Sequence, residues 1–167
     1  KSLVDAGVDS NITVCENDPT FNLFNQLTGN PDVGGIWTLG GIPVTNTFDP
    51  STSGTGTFVY AYTVLGTPPC VDDQSTVTVV VNPQPVVTIS GTTTITQGQS
   101  TTIDFTLTTG TPPFTVVYDD GTGPITSPSF NSTTGTINVT PNDTTTYTLV
   151  SVTDVDGCTV MASGAIT

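Results

Sequence analysis

Positive charge is almost missing from this sequence. Its 167 residues contain one lysine or arginine, Lys1, and no histidine, against fourteen acids, for a formal net charge of −13. A chain that cannot neutralise phosphates is not built to hold nucleic acid, and an anionic membrane surface is excluded for the same reason. Without histidine the commonest general base and metal ligand is absent, and no Ser-His-Asp or Cys-His arrangement can exist. No apolar run reaches the roughly 18 residues of a membrane-spanning helix. The start carries no basic stretch followed by an apolar one, and the end, Ala162 to Thr167, stops inside an alternating run. The chain therefore reads as a piece of something longer.

Helix-forming residues are also scarce. Hydrophobic residues make up 34% and charged residues 9%, while serine and threonine together number 50. Disordered chains combine low hydrophobicity with high charge and few β-branched residues. Here the polar mass is threonine, which is β-branched and suits the solvent face of a strand. The expected class is all-β.

The two halves echo one another. "GTFVYAYTV", "LGTPPC" and "STVTVVV" in the first half answer "TTTYTLVSVTD", "VDGC" and "TVMASGAIT" in the second. This is a repeat of roughly 81–88 residues, a domain-sized period. The boundary falls at Asn82-Pro83-Gln84-Pro85, whose prolines favour an extended connector. The expected domains are 1–82 and 83–167, and each half is net acidic.

In the first domain strands are expected near 3–8, 11–15, 35–39, 44–48, 57–65 and 75–82. The strand from Phe58 has apolar residues on both faces and should be central, with Trp37 as the core residue beside it. Residues 19–27 suggest one short helix, with Asp18 as N-cap, Pro19 in the first turn and Gly29 past the end. In the second domain strands are expected near 86–90, 92–96, 101–108, 113–118, 125–130, 135–140, 145–153 and 158–166. Asp119-Asp120-Gly121 and Asp156-Gly157 read as hairpin turns. Many short strands punctuated by turns indicate immunoglobulin-like β-sandwiches.

Several stretches carry a more specific resemblance. "ISGTTTITQGQSTTIDFTLTTGTPPFTVVYDDG" and "TINVTPNDTTTYTLVSVTDVDGCT" cover nearly all of 86–167. They resemble the tandem Ig-like repeats of giant surface adhesins of the Bacteroidetes phylum, the SprB-type gliding-motility adhesins. "DAGVDSNITVCENDPTFNLFNQLTG", "GGIWTL", "GTFVYAYTV" and "GTPPCVDDQSTVTV" resemble a sister repeat. The Ala6-Gly7 start, Trp37 and "GTFVYAYTV" also resemble polycystic-kidney-disease-type (PKD-like) domains. The resemblance implies two tandem Ig-like, PKD-like sandwich domains, export by type IX secretion, cell-surface display, and a part in cell adhesion and gliding motility. The expected partners are neighbouring repeats of the same long chain and extracellular polysaccharide or another surface, with no membrane insertion and a monomeric fragment. The family supplies no catalytic motif, so no enzyme activity and no cofactor is expected.

An exported protein meets an oxidising compartment, and Cys15 and Cys70 are the only pair within one domain. Their bridge is the expected disulfide. It meets a geometric objection: if 11–15 runs parallel to 75–82, the two cysteines lie at opposite ends unless loop 66–74 folds back. The family commonly has cysteine where this chain has Thr96, so Cys158 is expected to be a free thiol.

The remaining candidates are weighed against ordinary turn chemistry. Oxygen ligands suit Ca²⁺, and Glu16, Asp18, Asp72 and Asp73 are the calcium candidates if folding brings them together. Asp5 with Asp9 and Asp154 with Asp156 are lesser ones. Asp119 and Asp120 are adjacent and would point to opposite faces, which suits a turn better than a glycosidase pair. Asn11, Asn131, Asn138 and Asn142 fit the N-x-[ST] pattern, at about the frequency chance gives in so hydroxyl-rich a chain. Asp143-Thr144-Thr145 resembles an O-glycosylation motif of the same phylum. The leading expectation is an extended spacer of Ig-like modules; the alternative is a carbohydrate-binding module contacting polysaccharide through loops, with calcium.

Overall fold

A computed structural model describes residues 3–91 and 94–167. It is an all-β, immunoglobulin-like structure. The chain divides into two compact units, 1–82 and 83–167.

Unit 1 contains β1 (Ser10–Cys15), β2 (Phe21–Asn22), β3 (Ile36–Leu39), β4 (Ile42–Pro43), β5 (Thr47–Phe48), β6 (Gly56–Val64) and β7 (Asp73–Asn82). One sheet has the order β1-β7-β6-β3-β4, and β2 pairs with β5 as a separate ribbon. β1 runs parallel to β7, with Ser10 opposite Val77 and Cys15 opposite Asn82. Along β7, Ser75, Val77, Val79 and Val81 are buried while the residues between them are not. That period of two is what a strand with one covered face requires.

β6 lies between β7 and β3, the central place expected for it. Only one of its faces is covered, which corrects the expectation of two apolar faces. Tyr60, Tyr62 and Val64 are buried, whereas Val59 and Leu65 are 50% and 60% exposed. Trp37 is a core residue, packed against Tyr62 with ring centroids 4.8 Å apart and the planes tilted by 33°. Phe24 meets the same Tyr62 ring edge-on at 5.5 Å. The tyrosine hydroxyl is also used: it donates to the Asp32 carbonyl at 2.7 Å and accepts from the Gly35 N–H at 2.9 Å. A Cβ at Gly35 would sit 2.6 Å from that ring, so only glycine allows the approach.

The helix expected over 19–27 shrinks to a 3-10 turn at Leu23–Gln26. Its cap is Asn22, whose Oδ1 accepts from the Phe24 N–H at 2.8 Å. Asp18 instead accepts from the Cys15 N–H at the end of β1. Residues 21–22 stay extended because the Phe21 ring packs on Phe48 across the β2–β5 pair, 5.4 Å away. The strand expected at 3–8 reduces to a single bridge between Val8 and Thr28. The strand expected at 44–48 is only β5, and one helical turn at Pro50–Ser53, capped by Asp49, follows it.

Unit 2 contains β8 (Val86–Gly91), β9 (Thr101–Thr109), β10 (Thr115–Asp119), β11 (Pro124–Thr126), β12 (Thr134–Val139), β13 (Tyr147–Thr153), β14 (Thr159–Met161) and β15 (Ala165–Ile166). One sheet has the order β12-β9-β8; the other is β11-β10-β13-β14, with β15 also on β13. Ile103, Phe105 and Leu107 of β9 face inward, as their alternation predicts, and join Val116, Tyr118, Leu149 and Val152 in one core. Gly135 in β12 is a packing position: a Cβ there would fall 2.4 Å from the Phe130 ring, which itself lies 5.9 Å from Phe105. Both expected hairpins form, β10–β11 around Asp120–Gly123 and β13–β14 around Asp154–Cys158. The strand expected over 125–130 is only β11 with a bridge at Phe130, and that over 158–166 is broken into β14 and β15. Of the strand expected at 92–96, Thr92 and Thr93 lie outside the described residues, and 94–96 are not in a strand.

Candidate functional site

The acidic side chains are where a chain of this composition would place a metal. The parallel β1–β7 register separates the four calcium candidates. Glu16 and Asp18 follow Cys15, which is opposite Asn82 at the far end of β7. Asp72 and Asp73 stand at its start. Ten residues of strand put about 30 Å between the two pairs. The expectation that Glu16, Asp18, Asp72 and Asp73 converge is therefore corrected.

Most of these carboxylates hold loop backbone. Asp18 accepts from the Cys15 N–H at 2.8 Å, and Asp72 from the Gly66 N–H at 2.8 Å. Asp73 accepts from the Ala6 N–H and Asp9 from the Thr76 N–H, each at 2.7 Å, tying the entering chain to β7. Asp5 Oδ1 accepts from the Gly7 N–H at 2.7 Å. Among the described residues no group of three or more histidine, cysteine, aspartate or glutamate side chains is placed to hold a metal ion.

Asp119 and Asp120 likewise form a turn. Asp119 Oδ1 accepts from the N–H groups of Gly121 and Gly123. Asp120 Oδ1 accepts from the Thr122 hydroxyl at 2.6 Å and its N–H at 3.0 Å. The hydrogen bond from the Thr122 hydroxyl holds the Asp120 carboxyl below its ordinary range. Asp154 is the most enclosed acid seen, 5% exposed. It accepts from the Cys158 N–H at 2.9 Å and the Thr111 N–H at 3.1 Å, joining the β13–β14 hairpin to the loop before β10. Asp154 thus acts as a structural staple, both of its carboxylate oxygens taken by backbone N–H groups.

The cysteine expectations are also corrected. Cys70 precedes β7 and Cys15 stands opposite its last residue, the same separation of about 30 Å. Bridged cysteines have Cα atoms within about 7 Å, so Cys15 and Cys70 do not pair. Loop 66–74 is closed on itself, the Gly66 N–H held by Asp72 and the Cys70 N–H donating to the Thr67 carbonyl. Cys15 is disulfide-bonded, and so is Cys158, which is fully buried. The loss of a partner at Thr96 thus did not leave Cys158 a free thiol.

Two concave surfaces went unseen in the sequence. In unit 1 a groove of about 540 Å³ runs over Phe24, Trp37 and Tyr62, with Val33, Ile36 and Val44 at its rim. In unit 2 a cleft of about 570 Å³ lies where β9 begins and β12 ends. Its lining brings Thr94 and Gln97 together with Thr101 and Thr102, with Asn142 to Thr145, and with Thr167. The threonine run at 144–146 looked local in the sequence; the fold sets part of it beside threonines some 40 residues earlier. No periodicity could announce that meeting. Asn11, Asn131, Asn138 and Asn142 are all exposed, as are Asp143 and Thr144, while Thr145 is half-buried. No helix among the described residues is long and apolar enough to cross a membrane, which leaves strand-built spans untouched. No protein-family model and no curated protein matches the chain.

Proposed function

We propose that this chain is a non-catalytic pair of repeat modules from a large cell-surface adhesin, an extended spacer that serves surface adhesion and gliding motility. The reading rests first on the sequence resemblance to giant adhesin repeats, and with it come export by type IX secretion, an extracellular location and neighbouring repeats as partners. One structural observation supports it most. Many of the carboxylates, the side chains on which both an active site and a calcium site would depend, are engaged with backbone N–H groups of loops and turns: Asp73 on Ala6, Asp9 on Thr76, Asp154 on Thr111 and Cys158. Each such bond fixes a connection between strands, which is what a passive module under tension needs.

Antibodies raised against the 167-residue chain should label intact, unpermeabilised cells of the source organism. Labelling that appears only after permeabilisation would contradict the surface assignment. The second reading, direct contact with polysaccharide, is favoured by one feature alone, the threonine-lined cleft of unit 2.

A further inference from the structure

We propose that the threonine-lined cleft of unit 2 is a binding site for neutral oligosaccharide, a ligand function added to the spacer role. Its volume of about 570 Å³ lies within the range of small-ligand sites, roughly 300–1,000 Å³. The chemistry of the lining selects the class of ligand. Asp143 is its only charged side chain, and the whole sequence has one cation, Lys1. An anionic ligand would find no counter-charge and a field of net charge −13 against it. A purely apolar ligand would strip water from the hydroxyls of Thr94, Thr101, Thr102 and Thr144 without replacing those hydrogen bonds.

A neutral sugar meets both demands. Each threonine hydroxyl and each side-chain amide can both donate and accept, which is also the capacity of a sugar hydroxyl. Between these groups the lining is apolar, from the half-buried Ile95, Val139, Pro141 and Ile166 with Tyr147 behind them, and can take the C–H face of a pyranose ring. Tyr147 is only 8% exposed, so the site lacks a fully presented stacking ring. The affinity should accordingly be weak, in the millimolar range, and gain strength through repetition along a chain.

The cleft is built before any ligand arrives. The Gln97 side-chain amide donates to the Asn142 carbonyl at 2.9 Å, joining two of its walls. The hydroxyls of Ser100 and Thr140 meet at 2.9 Å, and those of Thr146 and Thr167 at 2.9 Å. These cross-links between segments more than 20 residues apart lower the ordering cost of binding.

The test is a titration of the whole 167-residue chain, labelled at threonine methyls, with cellohexaose, laminarihexaose, mannohexaose and xylohexaose to millimolar concentration. The expected result is saturable shifts with at least one of them, confined to Thr94, Thr101, Thr102, Thr144, Thr145 and Thr167. The isosteric pair Thr102→Val and Thr144→Val should weaken that binding by about tenfold or more while leaving the melting temperature in place. If the pair destabilises the unit, the single exposed change Thr144→Val carries the test. No saturable shift with any of the four sugars overturns the proposal. So do shifts scattered over threonines elsewhere, or equal binding of an oligogalacturonate or of a neutral glycine-serine peptide.

Discussion

Tyr62 shows how much one residue organises in unit 1. Its ring holds Trp37 and Phe24, while its hydroxyl satisfies a donor and an acceptor in the segment 32–35. Tyr62→Phe keeps the ring and leaves the Gly35 N–H and the Asp32 carbonyl without that partner. The expected loss is about 1–3 kcal/mol of unit 1 stability, read by denaturant unfolding followed by Trp37 fluorescence. An unchanged midpoint would show that water replaces the hydroxyl at no cost. The cysteines make a second residue-scale test. Protein denatured without reductant should titrate two fewer thiols than reduced protein. An equal count in the two would contradict the bonding of Cys15 and Cys158. That Trp37 and the Phe58 strand form the core could be read from the sequence, because large apolar residues at period two have few other uses. The role of the Tyr62 hydroxyl could not, since its partners lie about 30 residues away along the chain.

Elements were legible where their pattern was long and failed where it was short. β6, β7, β9 and β13, with seven or more residues each, lie close to their expected places. The region 19–27 carried helix punctuation, yet a pairing of Phe21 with Phe48 kept its start extended. Tertiary contact overrode the local signal there, as it commonly does for segments of two turns or fewer. The acidic candidates failed for a related reason: loop acids are alike in sequence whether they bind an ion or a backbone N–H. The parallel register of β1 on β7 decides the matter by setting Glu16 and Asp18 far from Asp72 and Asp73. Calcium and sodium chloride at equal ionic strength should therefore raise the melting temperature of the chain equally, through screening. A larger rise with calcium, saturating with concentration, would contradict this and reveal a bound ion elsewhere on the chain. The cleft of unit 2 was illegible for the opposite reason, since threonine on a solvent-facing strand is the commonplace reading of each of its residues taken singly.

At the scale of the whole molecule the two units each carry their own hydrophobic core. Eight acids and Lys1 in residues 1–82 and six acids in 83–167 give both halves the same sign of charge. The connector Asn82-Pro83-Gln84-Pro85 contains no glycine, and its prolines fix φ near −65° while pushing the preceding residues to extended geometry. Like charge and a stiff connector are the reasons for proposing a spacer with a preferred extended form. The most direct measurement is small-angle scattering of the 167-residue chain in moderate salt. Strands of seven to ten residues span about 23–33 Å, and loops lengthen each module to about 40 Å, so the spacer account predicts a maximum dimension of roughly 80 Å. A value near ~55 Å would mean modules packed side by side, and would contradict it.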